Sequence, residues 1–450
     1  MAATFTLLKS ADRAMTKAKL GWRDLADLRV ALMLALGFSA GLPFLMVFGT
    51  LSVRLREAGI PVTTIGLFSW LALAYSLKFI WSPIVDAWDV PILARVVGRR
   101  RAWMMVCQLL IVLGLIGAGV SDPATNLAMT AAFTLLVAFG SATQDVVIDG
   151  WRIDAAPLEK QGIMAAAYQL GYRLALLAAG AGALYIAQFV DWKTAYSAMA
   201  ACMAVGFGAA LASPIVDRAP AAGAETKRFS FTEAVREPIV DLYARTGKAL
   251  VLILALVALY RLPDFVAGVM ANPLYVDLGY TKVQIATVAK LYGVWIGIVG
   301  AFAGGYLVSK IGLFRTMLIG AVGSAISHLL FAWLATQVGA PIEALVVAIS
   351  ADNFAGSFCG TALIAYMSGL TGAGFSATQY ALLSSLYALP GKLVGGVSGF
   401  MVAAWGYAAF FAMTSVIAVP VIALLLAVRR TPAGGLQPGE EAATPPAPPR

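Results

Sequence analysis

The chain reads as long apolar runs separated by short polar breaks. Six runs lie near 29–53, 63–86, 102–120, 126–154, 160–188 and 192–214. A polar segment at 215–246 follows, and six more runs lie near 247–274, 283–309, 314–337, 341–369, 376–402 and 405–429. A membrane-spanning helix takes about 20 apolar residues, so twelve spans use roughly 240 and loops take up the rest. The pattern predicts an all-α membrane protein of twelve transmembrane helices, arranged as two six-helix bundles. Its parts are an N-terminal arm (1–28), a first bundle (29–214), a connecting loop (215–246), a second bundle (247–429) and a tail (430–450). The connecting loop contains Phe231-Thr-Glu-Ala-Val-Arg236, and the eleventh helix is expected to begin near Ser376. The tail, rich in Pro, Gly, Ala and Glu, reads as disordered.

Composition agrees with this picture. Of 450 residues 60% are hydrophobic and 12% charged, with a mean hydropathy of +0.84. Soluble domains carry about 25% charged residues, and lipid-facing helix surfaces cannot bear that charge. The 44 glycines fit close packing between membrane helices. The net charge of +9 does not point to nucleic acid, because the basic residues sit in short loops between apolar runs.

Their placement sets the topology. With the N-terminus inside, 23 of the 32 Lys and Arg fall in cytoplasmic segments and 4 in external loops (Arg54, Arg56, Lys193, Lys282). That is a strong positive-inside bias, so both termini are expected in the cytoplasm. The arm, with Lys9, Arg13, Lys17, Lys19 and Arg23, lacks a small-residue cleavage site and reads as cytoplasmic or interfacial. The single cysteines Cys107, Cys202 and Cys359 show no ligand spacing, so neither a disulfide framework, a metal nor another cofactor is expected. The one histidine, His328, lies inside an apolar run and reads as a hydrogen-bonded packing residue.

Nine ionisable residues fall inside the runs: Lys78, Asp145, Asp149, Arg173, Arg261, Asp264, Lys290, Asp352 and Lys392. Facing lipid, they would cost roughly 20–30 kcal/mol together, more than the about 5–15 kcal/mol net stability of a protein. They must face one another or a watery cavity, and such residues mark transport pathways. Each also has a plainer reading. Arg261 and Asp264, around Pro263, could form a structural ion pair. Asp145 and Asp149 share a helix face, where it is costly for both to ionise; that suits a proton site, but Arg152 beside Asp149 suits a gate pairing. Lys78 and Lys392 could snorkel.

The halves echo each other. Tyr168-Gln-Leu-Gly-Tyr-Arg173 and Tyr387-Ala-Leu-Pro-Gly-Lys392 each put a tyrosine five residues before a buried cation. Internal repeats of six helices are the plan of major-facilitator transporters, whose substrate sits between the halves at mid-membrane. Trp81-Ser-Pro-Ile-Val-Asp86 with Gly98-Arg-Arg-Arg101 resembles that superfamily's loop signature, but with eleven residues between Asp86 and Gly98 where the usual spacing is a few. The second-half counterpart, Gly304 to Arg315, has Ser309 in place of the acid.

Several stretches together resemble the AmpG family of muropeptide permeases. They are Gly37-Phe-Ser-Ala-Gly-Leu-Pro43, Lys78 to Asp86 with the arginine turn, Ser141-Ala-Thr-Gln-Asp145, Gly171-Tyr-Arg173, Tyr260-Arg-Leu-Pro-Asp264, Lys290, Asp352-Asn353 and Phe375-Ser-Ala-Thr-Gln379. The resemblance runs in order from about residue 30 to 428. It departs at Asp352, where the family pattern allows glutamate, and at Arg261, where it allows lysine.

The resemblance implies a bacterial inner-membrane importer of N-acetylglucosaminyl-anhydro-muropeptides, driven by protons, serving peptidoglycan recycling and feeding β-lactamase induction. The expected partners are that glycopeptide, protons and the lipid bilayer, with the protein a monomer. Substrate contacts are expected from Gln144, Tyr172, Arg173, Arg261, Lys290, Asn353 and Gly41, and proton coupling from Asp145, Asp264 and Asp352. A cytoplasmic gate is expected from Asp86, Arg99, Arg100, Arg101, Asp149, Ser376 and Gln379. The alternative within the superfamily is an importer of a siderophore, a peptide or another solute. A membrane-embedded transferase is disfavoured because no acid–base set lies near an interface, and a passive channel by the six-plus-six plan.

Overall fold

In the computed structural model of the chain, the structure describes residues 27–81, 85, 88–155, 158–215, 231–370 and 376–431. Most of the arm and tail, Asp86, and parts of the connecting loop lie outside the described residues.

Among the described residues every regular element is helical. In chain order the apolar helices are α1 (Leu28–Glu57), the shorter α2 (Val62–Leu77), α3 (Arg99–Val120), α4 (Leu127–Arg152), α5 (Met164–Phe189) and α6 (Trp192–Ala212). Then come α7 (Leu250–Leu259, continued as Leu262–Asp277), α8 (Lys282–Ile311), α9 (Leu313–Leu334) and α10 (Ile342–Leu370). The last apolar stretch, Leu382–Arg429, spans 48 residues, too long for one crossing. It breaks at Gly406, whose φ of 75° is left-handed, giving α11 (376–405) and α12 (407–429). The eleventh helix is helical from Ser376, as its pattern predicts.

Turn glycines recur in the two halves of the chain. Gly59 after α1 and Gly279 after α7 have φ of 79° and 87°, and Gly98 before α3 and Gly312 before α9 both have φ of 86°. A side chain is disfavoured at such angles, so corresponding turns in the two halves use the same residue for the same reason.

By packing the chain divides into two units. The first takes the described residues of 1–60 and 71–224, and the second those of 61–70 and 225–450. The second unit thus includes a segment that the sequence reading placed in the 29–214 bundle. The cause is close backbone approach: a methyl group at Gly66 or Gly399 would overlap the facing backbone, and the Trp70 indole N–H donates to the Leu393 carbonyl at 3.0 Å.

In the first unit α1 lies directly on α5. A Cβ at Gly37 would overlap the Tyr168 carbonyl, and one at Gly171 the Leu34 carbonyl. Behind this crossing Leu42, Met46, Ile111, Leu115 and Tyr196 form one core. Arg54, expected in an external loop, is instead buried: it donates to the carbonyls of Ala118 and Ser121 at 2.5 and 2.6 Å, closing the C-terminal end of α3. A cation suits that end of a helix.

In the second unit Gly297, Gly300 and Gly304 let α8 sit close on α10, and Ile253, Leu256, Met317, Leu363 and Leu425 fill the core. Trp295, Val299, Phe302 and Tyr306 of α8 recur at helical spacing and are all exposed. Such a face is what a helix presents to lipid.

Candidate functional site

In the first unit the ionisable groups gather on α2, α4 and α5. Lys78 Nζ lies 3.6 Å from Asp145 Oδ2, and the Tyr168 hydroxyl donates to Asp145 Oδ1 at 3.4 Å. The neighbouring Gln144 is buried, its Oε1 accepting from the Ser39 hydroxyl at 3.3 Å, and Gln108 Nε2 donates to Ser39 at 3.5 Å. Two buried polar atoms here, Gln144 Nε2 and Gln108 Oε1, lack a hydrogen-bond partner among the described residues. Unmatched buried polar atoms are uncommon in folded proteins, and a polar ligand or water would satisfy them.

Aromatic rings border this cluster. Tyr172 lies 6.4 Å from Phe44 and 6.2 Å from Tyr168, and Phe44 lies 5.8 Å from Tyr75. Arg173, next along α5, is exposed. Gly41 is buried where α1 meets the Tyr172 backbone, so it holds the helix pair together.

The gate residues of this unit make separate pairs. Arg99 Nε is 3.8 Å from Asp89, Arg100 Nη2 is 3.4 Å from Asp154, and Arg101 donates to the Ser213 carbonyl. Gly150 leaves the space that the Arg100 guanidinium occupies against α4. Asp149 is exposed and lies 3.5 Å from Arg152. Asp86 lies outside the described residues.

In the second unit the cluster is built on a helix break. The first stretch of α7 ends at Leu259, and Pro263 opens the next, placing Asp264 in its first turn. A carboxylate is favoured there by the helix dipole. Arg261 Nε lies 2.5 Å from Asp264 Oδ2, and its Nη1 donates to the Gly356 carbonyl of α10 at 2.6 Å. Asp264 also accepts from the Ser324 hydroxyl, and His328 Nε2 lies 3.4 Å from its Oδ1. Asp352 lies on α10 and is partly buried.

Lys290 and Asn353 lie on the facing helices α8 and α10. Lys290 sits in a π-helical stretch, Ile285–Tyr292, and donates to Asn272 Oδ1 at 2.8 Å. Asn353 Nδ2 donates to the Ile349 carbonyl at 3.1 Å and faces Gly293.

Gln379 has partners the sequence reading did not consider. Its Nε2 donates to Asp241 Oδ2 at 2.8 Å, and its Oε1 accepts from Arg245 Nη2 at 3.0 Å. Arg245 Nη1 also donates to the Leu370 carbonyl at 2.9 Å. These residues tie the connecting helix Phe231–Thr246 to the ends of α10 and α11. The Ser376 side chain lies outside the described residues. Lys78, Tyr168 and His328 stood out in the sequence; Ser324 and Asn272 carried no such signal, and Asp241 and Arg245 lie in a polar segment where charge is ordinary.

Helices packed in two units, each holding partly buried ionisable residues, have the arrangement of the major-facilitator fold. Solved structures share the fold: a D-xylose–proton symporter (TM-score 0.65, 14% identity, 92% of this chain and 99% of that one) and a peptide transporter POT in complex with sulfate (TM-score 0.65, 13% identity, 91% and 96%). The family profile described as acetyl-coenzyme A transporter 1 matches residues 29–127. The AmpG 4 protein of Rickettsia felis is 37% identical over 402 residues, 89% of this chain and 96% of that protein. The anhydromuropeptide permease of Escherichia coli K12 is 35% identical over 406 residues, 90% and 80%. The chain belongs to the AmpG family of transporters.

Proposed function

We propose that this transporter carries N-acetylglucosaminyl-anhydro-muropeptides from the periplasm into the cytoplasm by proton symport. Its identity to the Escherichia coli anhydromuropeptide permease along nine-tenths of the chain carries the reading. The chemistry of the clusters supports it. A sugar-peptide presents hydroxyls, amides and carboxylates, and pockets for such ligands combine aromatic walls with a few fixed polar groups. Gln144 and Tyr172 address the sugar and its amide. Arg173, Arg261 and Lys290 address peptide carboxylates, arginine through its planar fork, and Asn353 adds an amide. Gly41 keeps α1 against α5 beside them. Asp145, Asp264 and Asp352 take part in proton coupling.

Arg99, Arg100, Arg101, Asp149, Asp86, Ser376 and Gln379 belong to the cytoplasmic side that must open to release substrate. Both termini face the cytoplasm, and the protein works as a monomer of the bacterial inner membrane. In organisms with an inducible β-lactamase, the import supplies the inducing signal.

The deciding experiment is uptake of labelled anhydro-muropeptide into proteoliposomes under an inward proton gradient. Accumulation should collapse with an uncoupler. Asp145→Asn or Asp352→Asn should abolish gradient-driven uptake while leaving counterflow exchange intact, and normal accumulation in both variants refutes the coupling assignment. A second reading, transport of an acyl-coenzyme A, is favoured by the family profile over residues 29–127. Competition of muropeptide uptake by acetyl-coenzyme A separates the two.

A further inference from the structure

Two cations within the helices of the second unit are partnered in different ways. Arg261 meets the Asp264 carboxylate and donates to the Gly356 carbonyl. Lys290 Nζ donates to Asn272 Oδ1 at 2.8 Å, and among the described residues no carboxylate lies within ion-pair distance of it. An amide oxygen accepts a hydrogen bond but carries no net charge. The ammonium is therefore oriented by α7 and left electrically unmatched, which is costly inside a membrane and marks a place where an anion binds or passes.

We propose that Lys290 is the carboxylate receptor of the second unit, that Asn272 is its positioning residue, and that the ligand is a peptide acid. The inference deepens the functional reading above and rests on it for the identity of the natural substrate. It selects Lys290 over Arg261 as the group that holds the peptide carboxylate, because Arg261 already has an anion.

Local structure holds Lys290 in place. It lies in the π-helical stretch Ile285–Tyr292 of α8, and such stretches recur at functional sites. Snorkelling would carry its head along α8 toward a membrane surface, but the bond to Asn272, a buried residue, draws it toward α7 instead. Lysine only donates, so the amide must present its oxygen. An ammonium has three N–H groups, of which Asn272 takes one. Lys290 is only partly buried, so a ligand can meet the others.

The identity of residue 272 matters. An aspartate there would neutralise Lys290 permanently, and an anionic ligand would find no net attraction. Asparagine fixes the position of Nζ and leaves its charge to the ligand. Next to this cation the surroundings are neutral: the Asn353 amide of α10 lies against Gly293, and the Tyr292 hydroxyl bonds the Ser350 hydroxyl at 2.9 Å. A single ammonium beside amides and hydroxyls matches a carboxylate borne on an amide chain.

The plainer role for the Lys290–Asn272 bond is a strut between α7 and α8, and the two roles differ in sign. A strut made stronger by Asn272→Asp leaves binding alone; a receptor made self-sufficient gains stability and loses its ligand.

The probes are N-acetyl-alanyl-alanine and its C-terminal amide, titrated into the purified full chain in detergent and read by unfolding temperature. The acid should stabilise the parent, and the amide should act about tenfold more weakly, as loss of a charged hydrogen bond implies. Lys290→Gln should respond to acid and amide alike. Asn272→Asp should unfold above the parent without ligand and lose the preference for the acid, whereas Asn272→Leu should keep the preference with weaker binding. A parent that responds equally to both probes or to neither, or an Asn272→Asp variant that keeps the preference or unfolds below the parent, overturns the proposal. A parent that prefers the acid but carries no muropeptide in proteoliposomes defeats the functional reading and leaves the receptor standing. One that carries muropeptide without preferring the acid does the reverse.

Discussion

Lys78 and Asp145 meet inside the first unit at 3.6 Å, joining the end of α2 to the middle of α4. Neither is at home in a membrane alone. Together they cancel, and Tyr168 holds the carboxylate from a third helix. This explains how two of the ionisable residues are tolerated in apolar runs.

Removing one member should therefore harm folding more than removing both. Lys78→Met leaves a carboxylate without its cation, which costs about 1–3 kcal/mol. Lys78→Met with Asp145→Asn leaves two neutral groups and should regain most of that loss. Thermal unfolding in detergent measures the cycle, and equal losses in the single and double variants would show that the pair is not coupled.

Arg54 should matter to folding although positive-inside counting places it outside. Its guanidinium satisfies the Ala118 and Ser121 carbonyls at the end of α3 and lies 5.0 Å from the Tyr196 ring centre. Arg54→Ala should cost about 1–3 kcal/mol through unsatisfied carbonyls. Arg54→Lys should recover only part, since an ammonium cannot span two carbonyls as a fork does. The folded yield and unfolding temperature of the two variants give the check.

Hydrophobic period and charge placement made the all-helical fold and most buried ions legible. What they could not supply was pairing. Asp145 and Asp149 look alike in sequence, one turn apart on one helix, yet one meets Lys78 and the other Arg152. His328 read as packing because its partner, Asp264, lies on another helix far away in the chain. The partners of Gln379 were not legible because Asp241 and Arg245 lie in a polar segment where charge is ordinary. Residues 61–70 were assigned by chain order, whereas glycine-mediated contact decides where they pack.

Asp191 offers a pH test outside the membrane. It caps the start of α6, its Oδ1 accepting from the Thr194 N–H at 2.6 Å, and that bond holds its carboxyl below the usual carboxylate range. A group depressed on folding contributes stability above its unfolded value, and that stability fades as pH falls through its folded value. Parent protein should thus melt above Asp191→Ala at pH 7, and the gap should narrow at pH values below the ordinary carboxylate range. A gap that is constant with pH would show that the charge of the cap contributes nothing.

The connecting helix should be released by one substitution. Arg245 bonds Asp241 on its own helix, Gln379 at the start of α11 and the Leu370 carbonyl at the end of α10. The Asp241 carboxylate in turn accepts from Gln379, so three side chains close a ring. Helix ends leave carbonyls unsatisfied, and Arg245 meets one of those of α10. Arg245→Ala removes every arginine contact at once, and Gln379→Ala removes only the amide. Each exposed charged bond is weak, about 0.2–1 kcal/mol, but the ring shares its ordering cost over several bonds. Limited proteolysis of membranes should therefore cut within Phe231–Thr246 faster in Arg245→Ala than in Gln379→Ala, and slowest in the parent. The same rate in all three would mean that the helix is held by its apolar face, through Leu242, and not by the ring.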